Sequence, residues 1–258
     1  MQSRNLGYSE YGADRQETLF LLHGGGVTGL MWRTQVAALT DFHLVVVDLP
    51  GHASSSHLEF LSLDDAADRV AELIDAVAHG GRTHVIGLSL GGDIGVRMLA
   101  RHPGVVRSAM LTGLAAEPIS PLMQAIGRLG GLSMKSRAYA RMSARTIEVP
   151  PELLEEYLAQ SRNFRRSDYQ RFTREIFAGV SLDGLSTMDV PVLVVAGERE
   201  SPTARRSAAI VAAAIPGAVA ALAPGVGHVW NVENPELFNE TVTMWVNDHH
   251  ISPELIRL

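Results

Sequence analysis

Residues 83–92 read THVIGLSLGG, and this stretch decides the fold. A short apolar run, residues 83–87, leads directly into Gly87-Leu88-Ser89-Leu90-Gly91, which has the pattern G-x-S-x-G. A serine between glycines indicates a sharp turn from a strand into a helix, because only glycine leaves room for the neighbouring chain. The N-terminus of the helix then stabilises negative charge beside Ser89. We therefore predict a strand, a tight turn that presents Ser89, and a helix.

Similar apolar runs recur on both sides of this stretch. We predict further strands at residues 4–11, 18–22, 43–48, 105–112, 190–196 and 218–222. Most are apolar throughout rather than alternating, which is typical of a parallel sheet covered on both faces. Helical patterns lie between them at residues 58–79, 91–101, 202–215 and 235–247. The predicted fold class is α/β, a doubly wound, mostly parallel sheet with helices on both faces.

One region interrupts this alternation. Residues 115–188 contain no convincing strand, but Pro150-Pro151 begins one helical pattern and Tyr169 lies in another. This insertion separates the fifth and sixth strands, so it lies over the carboxyl ends of the sheet, where ligands bind in such folds. We interpret residues 115–188 as a helical cap, and residues 1–114 and 189–258 as the core domain. We expect the cap's cluster of arginines to form a solvated helix face; the alternative is that one of them binds a substrate carboxylate. The cluster consists of Arg162, Arg165, Arg166, Arg171 and Arg174.

Composition excludes several classes of protein. The chain has 258 residues and a formal net charge of −6, which disfavours nucleic-acid binding. It has no cysteine, so a thiol nucleophile and a thiolate metal site are excluded. The first residues lack the apolar core of a secretion signal, and no run of about 18 apolar residues is present. We expect a cytoplasmic protein with a small-molecule substrate, without metal, cofactor or membrane contact; the oligomeric state stays open.

Ser89, presented on such a turn, is the candidate nucleophile. Two further loops contain the residue types that a serine nucleophile needs. His228 follows Gly225-Val226-Gly227 in a loop after the last predicted strand, where a neutral imidazole can act as general base. His23-Gly24-Gly25-Gly26 follows residues 18–22, and such a glycine run lets backbone N–H groups face a pocket. We predict that the amides of Gly25 and Leu90 form an oxyanion hole.

A serine nucleophile and a histidine base usually belong to a catalytic triad, whose third member is a carboxylate that orients the histidine. The sixth predicted strand ends in Ala196-Gly197-Glu198-Arg199-Glu200. Both Glu200 and Glu198 have the right chemistry, and we favour Glu200 because it lies farther into the loop. A less favoured acid is Glu117, after the fifth predicted strand. The chain order serine, acid, histidine is the order expected for this architecture.

Together these motifs resemble the α/β-hydrolase family in its compact capped form. The resemblance covers nearly the whole chain and rests on five segments in the family's order, LLHGGG, VVVDLPGHASSS, HVIGLSLGG, PVLVVAGERE and GVGHVWNVENPELF. In that family the acid usually stands third after the glycine of the sixth-strand segment, which is Glu200 here. The family mostly uses aspartate at that place, and Ala53 stands where the family usually has glycine.

The expected function is that of a serine carboxylesterase. It would cleave a carboxylic ester, thioester or lactone of a small apolar substrate through an acyl-enzyme. We predict that Met31, Trp32 and Trp230 contact the substrate, and the cap offers further candidates: Met123, Met134, Met142, Tyr139, Phe164 and Phe172. The same constellation also serves C–C bond hydrolysis, lyase chemistry and perhydrolysis, and a non-catalytic binding protein is a further alternative.

Overall fold

The computed structural model describes residues 5–118, 136–146, 149–162 and 164–258, without the side chains of residues 146, 161 and 162. Met123 and Met134, two of the candidate substrate contacts in the cap, lie outside the described residues. Residue 4, at the start of the first predicted strand, also lies outside them.

The described strands form one eight-stranded sheet in the order β1-β3-β2-β4-β5-β6-β7-β8. Their bounds are β1 (Tyr8–Tyr11), β2 (Thr18–Leu22), β3 (His43–Val47), β4 (Thr83–Leu88), β5 (Val106–Thr112), β6 (Val192–Gly197), β7 (Val219–Ala223) and β8 (Ile256–Arg257). The edge strands β1 and β8 are antiparallel to their neighbours, and the other pairs are parallel. The predicted doubly wound α/β class is confirmed. The sequence patterns did not predict β8, because two residues are too few to show a period.

Six helices of the described core cover the sheet on both faces. Three precede β5: α1 (Arg33–Ala38), α2 (Leu63–Val77) and α3 (Leu90–Arg101). Three follow β6: α7 (Pro202–Ala213), α8 (Trp230–Glu233) and α9 (Pro235–Asp248). The labels α4 to α6 belong to the helices between β5 and β6. Alternate residues of a strand point to opposite faces. Phe20 and Leu22 of β2 accordingly pack with α2, α3 and α7, whereas Leu19 and Leu21 pack with α8 and α9. Among the described residues, no helix combines the length and apolar character that crossing a membrane requires.

Three described helices stand between β5 and β6, where the sequence predicts the cap. They are α4 (Arg137–Thr146), α5 (Leu154–Arg162) and α6 (Arg166–Ala178). Tyr157 and Leu158 of α5 are buried on one side of the sheet, whereas Phe172 of α6 is buried on the other. The cap boundaries at residues 115 and 188 stay a prediction.

Helix α6 is fastened to the core by buried and half-buried charges. The carboxylate of Asp168 is fully buried and lies 2.9 Å from Nε of Arg165 and 3.5 Å from Nη1 of Arg171. Arg165 also donates to the backbone carbonyls of Ser56 and Leu58, and Arg171 to that of Phe60. We call Arg165, Asp168 and Arg171 the arginine latch. These two arginines therefore do not form the solvated face that we predicted, because their guanidinium groups satisfy core carbonyls.

Candidate active site

Ser89 stands at a strained turn between β4 and α3. Its backbone has φ 56° and ψ −117°, a conformation that non-glycine residues rarely adopt. The chain around it is very close: a Cβ on Gly87 would lie 2.4 Å from the carbonyl oxygen of Gly91, and one on Gly91 would lie 2.1 Å from that of Leu22. Glycine is therefore required at both flanks, which is the physical reason for the G-x-S-x-G pattern. The turn presents half-buried Ser89 at the carboxyl edge of the sheet.

His228 and Glu200 lie at the same edge and are hydrogen-bonded to each other. Nδ1–H of His228 donates to Oε1 of Glu200 at 2.5 Å. The other carboxylate oxygen of Glu200 accepts the Gly197 N–H at 3.1 Å, and its side chain is only 4% exposed. This fixes the carboxylate, which holds the imidazole with its proton on Nδ1 and leaves Nε2 as an acceptor.

Gly113, at the end of β5, lets the imidazole approach Ser89. Its φ is +69°, and a Cβ on it would lie 2.7 Å from Cε1 of His228 and 3.3 Å from the backbone nitrogen of Ser89. The backbone N–H of Ser89 donates at 2.9 Å to the carbonyl of Thr112, the residue before Gly113. The absence of a side chain at residue 113 therefore opens the space beside Ser89 that the imidazole occupies.

The two less favoured acids occupy other places. Glu198 accepts the N–H of Gly225 at 2.8 Å and so braces the loop that leads to His228. Glu117 forms a surface ion pair with Arg206 at 3.3 Å. Of the three carboxylates considered from the sequence, the structure brings Glu200 to the imidazole.

The amides predicted for the oxyanion hole lie on the two loops beside Ser89. Leu90 is the first residue of α3, and Gly25 lies in the loop after β2. Within the described residues, no backbone acceptor takes the N–H of either one. A Cβ on Gly25 would lie 2.8 Å from Cε2 of Phe172, so helix α6 of the cap packs directly against this loop.

Ser89 and His228 line one cleft, which helix α4 closes on one side. Its volume is about 220 Å³, and it is partly open to solvent. Met31 lines the cleft as expected, together with Tyr139 and Met142 of α4. Its other lining residues are Gly24, Gly25, Val27, Leu88, Ser143 and Val229. Sequence reasoning missed Val27 and Ser143, although Val27 directly follows the HGGG run.

Trp32 and Trp230 do not line this cleft. Both are fully buried, and each packs against Phe238 of α9, with ring centroids 5.7 Å and 4.5 Å away respectively. Nε1–H of Trp230 donates to the hydroxyl of Thr112 at 2.9 Å. The prediction that these tryptophans contact the substrate is therefore replaced by a structural role: they fill the core beneath the loops, since large apolar rings gain most from full burial.

One buried carboxyl group lies next to the turn that presents Ser89. Asp93 is in the first turn of α3, and burial raises its pKa to about 8. One of its oxygens accepts the Ala115 N–H at a long 3.5 Å, and the other has no hydrogen-bond partner. Asp93 is therefore protonated and neutral at pH 7, so it adds no charge opposing an oxyanion beside Ser89.

A model of the alpha/beta hydrolase family matches residues 19–241, which include every residue named in this site. The chain belongs to the α/β-hydrolase family. The match begins in β2 and ends in α9, so it spans the loop after β2, the turn at Ser89, the helices between β5 and β6, and the loop with His228 of this α/β-hydrolase.

Individual relatives agree with this assignment. The α/β-hydrolase is 28% identical over 245 residues to an AB hydrolase superfamily protein of Gibberella zeae, covering 89% of this chain and 80% of that one. It is 28% identical over 236 residues to carboxylesterase YbfK of Bacillus subtilis, covering 87% and 78%. It is also similar to the crystal structure of the enol-lactonase from Burkholderia xenovorans LB400, with 25% identity, a TM-score of 0.77, and coverage of 94% and 96%.

Proposed function

We propose that this α/β-hydrolase is a serine esterase that cleaves a carboxylic ester or a lactone through an acyl-enzyme. The observation that carries the proposal is the placement of Ser89 and His228 around one cleft, with Glu200 hydrogen-bonded to the imidazole. The carboxylesterase and the enol-lactonase among its relatives also support it, since both are described by ester or lactone chemistry.

The proposed reaction assigns a function to each of these residues. The hydroxyl oxygen of Ser89 attacks the carbonyl carbon while Nε2 of His228 takes the hydroxyl proton. The negative charge on the former carbonyl oxygen is held by the N–H groups of Gly25 and Leu90, and one such donor contributes about 3 kcal/mol. His228 then protonates the leaving alcohol, and a water molecule hydrolyses the acyl-enzyme by the same route. Glu200 stabilises the imidazolium throughout.

The cleft favours an uncharged substrate. Apart from His228 and the phenol of Tyr139, its lining side chains carry no ionisable group. Burial raises the pKa of Tyr139, so this phenol stays neutral. A charged group placed among Val27, Met31 and Leu88 would lose its hydration without gaining a partner, which is unfavourable. The proposed substrates are therefore small, neutral, largely apolar esters or lactones, in keeping with a cleft of about 220 Å³.

The central test removes the nucleophile. We expect Ser89→Ala to lower kcat for p-nitrophenyl butyrate to less than about one-thousandth of the wild-type value. It should also abolish covalent labelling by a fluorophosphonate, with the fold retained by circular dichroism. Retained ester hydrolysis in a folded Ser89→Ala protein would reject Ser89 as the nucleophile.

A pair of matched variants tests the acid. In Glu200→Gln the amide oxygen can satisfy Gly197 only if its NH₂ group faces Nδ1 of His228. That arrangement moves the imidazole proton to Nε2, which then cannot accept the proton of Ser89. We expect kcat to fall by about 10²- to 10⁴-fold. Glu198→Gln keeps an oxygen for Gly225 and should retain wild-type kcat. Equal activity of the two variants would exclude Glu200 as the acid.

A further inference from the structure

Two histidines outside the triad are buried beside the oxyanion loop. His23 is 0% exposed and His52 is 3% exposed, and their ring centroids are 4.8 Å apart in an edge-to-face arrangement. His52 belongs to the loop after β3, whereas His23 begins the loop after β2 that carries Gly25. Neither ring lines the cleft with Ser89, so the reaction assigned above does not use them directly.

The hydrogen bonds of His52 define its protonation. Its Nδ1 lies 3.0 Å from the carbonyl oxygen of Pro50, which can only accept, so Nδ1 carries the proton. Its Nε2 lies 3.0 Å from the N–H of Gly26, which can only donate, so Nε2 is the acceptor. Burial, and secondarily His23 nearby, hold the pKa of His52 well below its ordinary value, which keeps the ring neutral. His52 therefore ties its own loop to the residue next to Gly25.

His23 makes the opposite connection. Its Nδ1–H donates to the carbonyl of Gly24 at 2.7 Å, and its Nε2 accepts the N–H of Leu49 at 3.0 Å. Each histidine thus reaches from one loop to a backbone amide of the other. The loop of residues 23–26 is therefore cross-linked to residues 49–52 at two points.

We propose that His52 is a positioning residue that sets the N–H of Gly25 in the oxyanion hole through its hydrogen bond to Gly26. The inference rests on the proposed esterase function. Preorganised donors act on charge that develops in the transition state, so a displaced Gly25 amide weakens transition-state binding more than substrate binding. Loss of the Gly26 bond should therefore lower kcat and leave KM nearly unchanged.

Ring packing has to be separated from hydrogen bonding in the test. The His52 ring lies 4.5 Å from that of Phe164 and 6.1 Å from that of Phe172, centroid to centroid. His52→Phe keeps an aromatic ring in this place and removes the acceptor for Gly26. His52→Gln offers a side-chain oxygen at a similar reach and restores an acceptor. His250→Phe is the matched control, because it replaces an exposed histidine after α9 by the same residue away from residues 23–26.

The experiment measures kcat and KM with p-nitrophenyl butyrate, and the inhibition constant of a trifluoromethyl ketone that forms a tetrahedral adduct with a serine. For His52→Phe we expect kcat to fall about 10- to 100-fold, with the inhibition constant raised by a similar factor and KM within about twofold. His52→Gln should recover most of the loss, and His250→Phe should match the wild type. Wild-type kcat in His52→Phe, or a loss confined to KM with unchanged ketone affinity, would overturn the inference.

A measurement on the wild type keeps the inference testable if His52→Phe does not fold. In ¹⁵N-histidine NMR spectra we expect His52 as the neutral tautomer with the proton on Nδ1, and a change in its Nε2 shift when the ketone adduct forms. A His52 signal that does not respond to the adduct would contradict the coupling. If the wild type neither hydrolyses the ester nor binds the ketone, the esterase proposal itself fails, and that result is distinct from an active enzyme indifferent to His52.

Discussion

The strained backbone of Ser89 predicts that the variants Ser89→Gly and Ser89→Ala differ in stability. Ser89 is held at φ 56° and ψ −117° by the bond from its N–H to Thr112 and by the N–H of Asp93 that its carbonyl accepts, each at 2.9 Å. A non-glycine residue in such a region stores about 1–3 kcal/mol of strain. Ser89→Ala keeps this strain, because alanine has a Cβ, whereas Ser89→Gly releases it.

The expected difference follows from two opposing terms. Glycine gains the released strain of about 1–3 kcal/mol, but it loses about 0.5–1 kcal/mol more backbone entropy on folding than alanine does. We therefore expect Ser89→Gly to be more stable than Ser89→Ala by about 1 kcal/mol. For a chain of this size that corresponds to a Tm higher by about 2–4 °C.

Thermal unfolding of both variants, followed by circular dichroism at pH 7, tests this expectation. Both lack the hydroxyl group, so any difference reports the backbone. Ala159→Gly is the control, since residue 159 is an exposed helical position in α5 where glycine should destabilise the protein by about 1 kcal/mol. A Ser89→Gly protein that unfolds at or below the Tm of Ser89→Ala would refute the strain argument.

Two further predictions concern stability. Because burial raises the pKa of Asp93 from 3.8 to about 8, its contribution to folding is fully present below pH 3.8 and is lost as the pH rises to about 8. Urea unfolding between pH 5 and 8 should therefore show the stability of Asp93→Asn rising relative to wild type by at most about 1.4 kcal/mol per pH unit; parallel pH curves would contradict the buried neutral acid. Ala53 has φ +39°, in the left-handed region, so we expect Ala53→Gly to raise the free energy of unfolding by about 1 kcal/mol in the same assay. An unchanged urea midpoint would show that this backbone is unstrained.

The fold could be predicted from the sequence because the patterns that indicate its strands and helices are local. Each buried strand is an apolar run, and the carboxyl ends of parallel strands meet at one edge, so Ser89, Glu200 and His228 could be assigned to neighbouring loops from their positions alone. The choice between Glu200 and Glu198 depends on the path of the backbone. The N–H of Gly197 donates to Glu200, whereas the N–H of Gly225 donates to Glu198. No local sequence pattern indicates this difference.

Other features depended on distant contacts. Trp32 and Trp230 lie next to site residues in sequence, yet both rings turn to Phe238 in the core. His52 was one of ten histidines, and its partner Gly26 is distant in sequence and comes close only when β2 and β3 pair. Arg165 and Arg171 were predicted to belong to a solvated face because their carbonyl partners belong to a separate segment of the chain.

The arginine latch has a consequence for protein engineering. Arg165 and Arg171 donate to backbone carbonyls within residues 56–60, and both pair with Asp168 of helix α6. The position of α6 therefore depends on this segment of the core. A chimera that receives the cap of another hydrolase would leave those carbonyls without donors. A graft of these helices between hydrolases of the family therefore requires that residues 56–60 be transplanted together with them.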